Sequence, residues 1–199
     1  MMIDQEKLKQ AQEFYNERIL GWMINDLKRS IVAKTNFLTA LGCLIYTEII
    51  GIFLPPLKKE SGTVKEKRFY RCLFRLQSHI ALRELDTLLR MGTNNHGLYA
   101  HLRHSMTHKY YPIVEKKAKN LYLTITSIVA RDGITKDKKE KAPPIFLSDK
   151  GSVVIATRNY TNELEMAVND FIDITFCQKD PEFQRAAIDG IDVVLRGKS

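Results

Sequence analysis

Hydrophobic residues recur every three or four positions in the first third of the chain, which is the spacing of amphipathic helices. A first helix is predicted over about residues 5–27 and a second over about residues 31–53. Pro55 and Pro56 follow the second helix and end it, because proline lacks the amide N–H that a helix interior requires. The apolar positions of the first helix are Leu8, Ala11, Phe14, Tyr15, Ile19 and Trp22.

Two more helices are predicted before the middle of the chain. The third spans about residues 68–91, and the fourth spans about residues 97–111 between a possible N-cap at Asn95 and a stop at Pro112. The residues available for the core face of the third helix are Phe69, Leu73, Leu76, Ile80, Leu85 and Leu88.

The pattern changes to that of a small sheet after residue 120. Residues 121–129 alternate and are rich in β-branched side chains, which favours a strand. Residues 145–147 and 152–157 flank a short turn and predict a β-hairpin. A helix capped by Asn159 or Thr161 follows, and Pro181 can open the last one.

These elements predict a single domain over residues 1–199, since a chain of this length suffices for one sizeable core. The fold class is mainly α: a helical bundle with a small inserted antiparallel β-hairpin or sheet, at about residues 120–158, before the last two helices.

One segment, residues 37–54, has nearly the length and apolarity of a membrane span. It contains Glu48, and an ionised carboxylate is costly in lipid. We therefore expect a buried helix of a soluble bundle in which Glu48 has a partner, and no membrane. The polar N-terminal stretch lacks the pattern of a secretory signal. The three cysteines show no CxxC spacing, which favours a reducing, cytoplasmic location.

The chain carries a formal net charge of +8, with a pI near 9.3. This balance favours polyanionic partners such as RNA, DNA or an acidic protein. A lysine-rich surface without a specific partner produces the same composition, so charge alone does not decide the function.

Four of the five histidines lie between residues 96 and 108. On an α-helix His101, His104, His108 and Tyr111 form one stripe, because they are spaced by three or four residues. Arg103 lies about 140° from His108 around the helix axis and borders the stripe. An arginine can hold a phosphate through paired hydrogen bonds, and a histidine can move a proton near neutral pH. The segment therefore predicts a phosphate site.

Residues 102–108 resemble the signature of HEPN domains, an arginine separated from a histidine by a few residues, with a polar residue after the arginine. Here Arg103, His104 and His108 fill those places. Residues 36–54, with an acidic residue followed by a glycine, also resemble the second helix of one prokaryotic HEPN group. The resemblance covers residues 31–111 well and the hairpin and last helices more weakly.

The resemblance implies metal-independent RNA cleavage by attack of the 2′-hydroxyl on the adjacent phosphate, without a cofactor. It also implies a homodimer in which two such motifs meet, and a toxin or defence effector with a possible antitoxin partner. His108 would be the general base or acid, Arg103 would stabilise the transition state, and His104 would orient the phosphate or the partner motif. Glu48 would hold Arg103 or a histidine, and His101 and Tyr111 would support the site.

Other interpretations of the same residues stay open. His104 and His108 have the spacing of a metal-binding pair, although no HExxH motif or third ligand is evident and no metal is expected. Arg103 and Glu48 could form an ion pair that only stabilises the fold. The alternative function is a non-catalytic HEPN-like module that binds a nucleotide, a nucleic acid or a protein partner.

Overall fold

The computed structural model of the protein describes residues 3–92, 97–104, 106, 113–115, 120–126, 143–148 and 152–196. Within these ranges the protein is mainly helical and carries a small sheet, which confirms the predicted fold class. The predicted hairpin and the two helices after it are present, so the β elements do lie before the last two helices.

The first helix, α1, is continuous over residues 5–32, so it is longer than predicted. Its ends are α-helical, at Gln5–Phe14 and Asn25–Val32, and the middle, Tyr15–Ile24, is π-helical. Asp4 caps the start, because its carboxylate accepts a hydrogen bond of 3.1 Å from the Lys7 amide.

The π-helical turns explain which side chains of α1 are buried. In an α-helix each four-residue step rotates the buried face by about 40°. A π-helical turn holds more than four residues, so there the same step falls short of a full turn and offsets the drift of the α-helical ends. The buried repeat is Ala11, Tyr15, Ile19, Met23 and Leu27. Trp22, which we expected to be apolar core, is 59% exposed because it lies outside this repeat.

The second helix, α2, spans Asn36–Ile50 and ends in a 3₁₀ turn at Gly51–Phe53. It has the length and the mean hydropathy of a membrane span, and it is the one such helix among the described residues. Part of it is buried by α3 and α6, the helices Val64–Leu73 and Thr157–Ile172. A soluble protein is compatible with one apolar helix packed in this way.

The predicted third helix is in fact two helices, α3 and α4, the latter spanning His79–Gly92. Residues 74–78 between them are not helical. Glu163 of α6 holds the start of α4, since its carboxylate accepts from the Ser78 amide at 3.0 Å and from the Ser78 hydroxyl at 2.5 Å.

The break changes the helical phase, so part of the predicted core face was wrong. Leu82, Leu85 and Leu89 are the buried apolar positions of α4, whereas Ile80 and Leu88 are exposed. The predicted face assumed one uninterrupted helix, and residues 74–78 are not helical.

The fourth predicted helix is described over Tyr99–His104 as a π-helical turn, α5. The π-helical segment Asp173–Cys177 extends α6, and the last helix, α7, spans Pro181–Arg196. The helix α7 packs against α1 and the 3₁₀ turn. Large buried side chains fill the space between these helices: Tyr15, Phe53, Phe69, Leu76 and Tyr160.

The sheet has four strands in the order β1-β2-β4-β3. The strands are Ile113–Glu115, Asn120–Thr126, Ile145–Leu147 and Val153–Ala156. β3 and β4 form the predicted antiparallel hairpin, and β1 pairs antiparallel with β2. β2 and β4 pair in parallel, with Leu123 opposite Val153, so the sheet is mixed. Since β4 leads directly into α6, the sheet is joined to the helical core at that point.

Candidate functional site

Arg103 and Glu48 meet where α5 packs against α2. The guanidinium Nε of Arg103 lies 3.2 Å from Oε2 of Glu48, and the two side chains are only 17% and 13% exposed. Of the two partners expected for Glu48, Arg103 or a histidine, Arg103 is the one in contact with it. It also accounts for a carboxylate in an otherwise apolar helix, because a charge removed from water needs an opposite charge nearby.

Glu48 acts on Arg103 through charge. The 3.2 Å contact is an ion pair in which Nε of Arg103 and Oε2 of Glu48 do not meet the geometry of a hydrogen bond. Glu48 also offsets part of the positive charge of Arg103. The ion pair therefore keeps the Arg103 guanidinium near Glu48, at the contact of α5 with α2.

The other predicted site residues lie close to Arg103 in the sequence. His101 lies in α5 and is partly buried. His104 ends the same turn, where the backbone alone is described. His108 and Tyr111 lie outside the described residues. The α-helical geometry behind the predicted stripe is absent from Tyr99–His104, because π-helical turns are wider than α-helical ones.

The beginning of α5 is held by side chains of α3 and α4. Oδ1 of Asp86 accepts hydrogen bonds from the Leu98 amide at 2.7 Å and from the Tyr70 hydroxyl at 2.6 Å. The Tyr70 hydroxyl in turn accepts from the Tyr99 amide at 3.3 Å. These bonds satisfy two of the amides that any helix leaves unpaired at its start. The predicted cap, Asn95, lies outside the described residues.

Arg90 completes this network. Its Nε donates to Oδ2 of Asp86 at 2.8 Å, and its terminal nitrogen donates to the Tyr70 hydroxyl at 3.0 Å. Burial opposes its charge, but the hydrogen bond to Asp86 and the charges nearby raise the pKa of Arg90 above its ordinary value. Burial, and then the Asp86 charge, raise the pKa of Tyr70 as well. Tyr70 thus stays a hydrogen-bond donor to Asp86, and Arg90 stays charged beside it.

Gly97 fits tightly against this network. A Cβ at that position would overlap the Asp86 carboxylate and the Tyr70 hydroxyl. The glycine thus lets the chain approach Asp86 closely enough for the Leu98 amide to be capped.

Sequence reasoning missed Asp86, Tyr70 and Arg90. A signal for Asp86 exists, because it falls among Leu82, Leu85 and Leu89 on the buried face of α4. An acidic residue on an apolar face is the same feature that singled out Glu48. This signal was missed because the buried face was predicted for one continuous helix over residues 68–91, whereas α4 begins at His79.

Among the described side chains, no three of His, Cys, Asp or Glu gather closely enough to hold a metal ion. The side chains of His104 and His108 lie outside the described ones.

The chain matches no family model, no curated protein and no solved structure at a significant level. Its function must therefore be argued from its own residues.

Proposed function

We propose that the protein is a metal-independent endoribonuclease of HEPN type. In this proposal it acts in the cytoplasm as a homodimer, either as the toxin of a toxin–antitoxin pair or as a defence effector. The observation that supports the proposal best is the contact of Arg103 with Glu48 at 3.2 Å. The ion pair keeps the arginine of the Arg-x4-His segment close to α2, and that arginine is the residue assigned to the phosphate.

The proposed reaction needs no bound group beyond the RNA. A histidine, His108, takes the proton of the 2′-hydroxyl, and the 2′-oxygen attacks the adjacent phosphorus. The bond to the 5′-oxygen breaks, and in the proposed homodimer that oxygen receives a proton from His108 of the partner subunit. The products are a 2′,3′-cyclic phosphate and a 5′-hydroxyl. Arg103 stabilises the extra negative charge on the phosphate oxygens in the transition state, and His104 orients the phosphate or the partner motif.

The net charge of +8 supports RNA as the substrate class, because positive charge raises the local concentration of a polyanion. The cap on α5 supports the assignment of Arg103 to the site. The bonds from Asp86 and Tyr70 fix the start of the short helix, and Arg103 lies on it.

The test is cleavage of labelled single-stranded RNA by the full chain in EDTA, with analysis of the product ends. The protein is expected to leave cyclic phosphate ends. Arg103→Lys keeps the charge but loses the planar fork, so it should reduce the cleavage rate by about 10²-fold. Arg18→Lys, at an exposed position of α1, is the matched control and should keep the rate. The proposal fails if the wild-type chain does not cleave RNA, or if both variants cleave equally.

The second candidate is a HEPN-like module that binds a nucleotide, nucleic acid or protein partner without turnover. The burial of both Arg103 and Glu48 favours it, because a paired arginine with little exposed surface can serve the fold alone. This candidate predicts ligand binding without new RNA ends, and it predicts that Arg103→Lys weakens binding.

A further inference from the structure

A cavity lies beside the side chains that cap α5. It has a volume of about 270 Å³ and opens between the loop of residues 57–61, α3 and α4. Four cationic side chains line it: Lys59, Lys67, Arg83 and Arg90. Two carboxylates, Glu60 and Asp86, line it as well. The lining therefore carries an excess of positive charge.

Both carboxylates are committed to other partners. Glu60 accepts from Nε and a terminal nitrogen of Arg71, at 2.7 and 2.9 Å. These hydrogen bonds are the main reason why the pKa of Glu60 lies below its ordinary value. Asp86 is paired with Arg90 and with the start of α5. The hydrogen bonds of the two acids thus go mainly to Arg71, Arg90 and the start of α5, and Lys67 attracts Glu60 through charge alone.

The other cations of the cavity have no such partner. Lys59, Lys67 and Arg83 form no ion pair with any residue in the part of the chain that the structure describes. These side chains add positive charge around the cavity, of which Glu60 offsets a part through its attraction to Lys67. The remaining charge favours the entry of an anion.

Arg83 is held in place by an aromatic face. Its guanidinium carbon lies 4.3 Å from the ring centroid of Phe74, which is a cation–π contact. Phe74 is itself stacked on Tyr70, with ring centroids 4.9 Å apart. The contact keeps the guanidinium over the ring, and a guanidinium carries the N–H donors that an oxyanion needs.

We propose that this cavity binds the phosphate monoester of a nucleotide. A monoester carries about 1.5 to 2 negative charges at pH 7, which matches the charge excess of the lining better than the single charge of a phosphodiester. The volume lies just below the roughly 300–1,000 Å³ of sites for drug-sized ligands, so it suits one small polar ligand. The monoester can belong to a free mononucleotide or to the 5′ end of an RNA strand. The proposal does not depend on RNA cleavage.

The bound phosphate would lie next to the cap of α5. Arg90 and Asp86 contribute to both the cavity and the cap, and α5 carries Arg103. The site is nevertheless separate from the Glu48–Arg103 pair, because neither residue lines the cavity.

Calorimetric titration of the full chain with adenosine monophosphate tests the proposal, with adenosine as the ligand without phosphate. Lys59→Gln with Lys67→Gln should weaken the binding of the monophosphate by about tenfold or more, through loss of two charged contacts. The matched control is Lys58→Gln with Lys65→Gln. It removes the same charge from neighbouring exposed positions that do not line the cavity, and it should change binding by no more than about twofold.

A short RNA with a 5′-phosphate, compared with the same RNA with a 5′-hydroxyl, separates the two sources. If the 5′-phosphorylated RNA binds, with the same dependence on Lys59 and Lys67, and adenosine monophosphate does not, the result would support the site and assign it to RNA ends. The proposal is overturned if neither phosphate ligand binds better than its unphosphorylated counterpart. Equal weakening by the two double variants would also overturn it, because the attraction would then be a general effect of charge.

Discussion

At the scale of single residues, two carboxylates on apolar helix faces organise the region around Arg103. Glu48 pairs with Arg103, and Asp86 pairs with Arg90 while capping α5. The partner of Glu48 could be anticipated, because the single charge of an apolar segment must be compensated. The role of Asp86 could not, because its burial depends on where α4 begins.

The Glu48–Arg103 pair should be coupled energetically. Either Glu48→Gln or Arg103→Gln leaves a mostly buried charge without its partner, so each should lower the free energy of unfolding by about 2–3 kcal/mol. The double variant should cost less than the sum, with a coupling energy of about 1–2 kcal/mol in urea unfolding.

Lys9 and Glu13 supply the control for this cycle. They are 3.9 Å apart and largely exposed on α1, so their coupling should not exceed about 0.5 kcal/mol. Equal coupling in the two cycles would contradict the view that burial makes the Glu48–Arg103 pair a structural anchor.

The three cysteines should differ sharply in reactivity. Burial raises the pKa of the Cys43 and Cys72 thiols to about 12, so both stay protonated and inaccessible at pH 8. Cys177 is exposed. Iodoacetamide at pH 8 should therefore modify Cys177 alone in the native protein and all three cysteines in urea, as read by mass spectrometry. Rapid labelling of Cys43 or Cys72 in the native state would show that the core is more open than the structure indicates.

At the scale of elements, helix positions could be predicted from periodicity, but their breaks and phases could not. The last helix begins at Pro181 as predicted. The helix before it begins at Thr157, so the predicted caps were wrong: Asn159 and Thr161 lie inside that helix. The interruption between α3 and α4 ends where Ser78 donates hydrogen bonds to Glu163 of α6, which lies 85 positions further along the chain. Residues 74–78 carry no local sequence pattern that predicts this contact.

The cap on α5 should contribute measurably to the free energy of unfolding. Asp86→Ala removes the acceptor of the Leu98 amide and leaves Arg90 without its main carboxylate, so it should lower the free energy of unfolding by about 3 kcal/mol. Glu84→Ala, at an exposed position of the same helix, should change it by no more than about 0.5 kcal/mol. Urea unfolding followed by circular dichroism measures both. A small effect of Asp86→Ala, similar to that of Glu84→Ala, would contradict the assigned cap.

At the scale of the whole molecule, binary patterning was enough to predict a mainly helical fold with a small sheet before the last two helices. It could not predict the parallel pairing of Leu123 with Val153, because that pairing depends on the path of the chain between the two strands. The apolar helix α2 illustrates the same limit. Its composition suits a membrane span, and its packing against α3 and α6 was needed to account for its apolar residues.

The central proposal, RNA cleavage through Arg103 and His108, is tested most directly by one histidine variant and its control. His108→Ala and His79→Ala each remove one imidazole, but His79 is an exposed residue at the start of α4. Labelled RNA is incubated in EDTA with each folded protein, and the initial rate of cleavage is measured. We expect His108→Ala to reduce the rate by about 10²–10⁴-fold, as for loss of a general acid or base, and His79→Ala to retain it. Equal rates for the two variants, or no cleavage by the wild-type protein, would contradict the proposal.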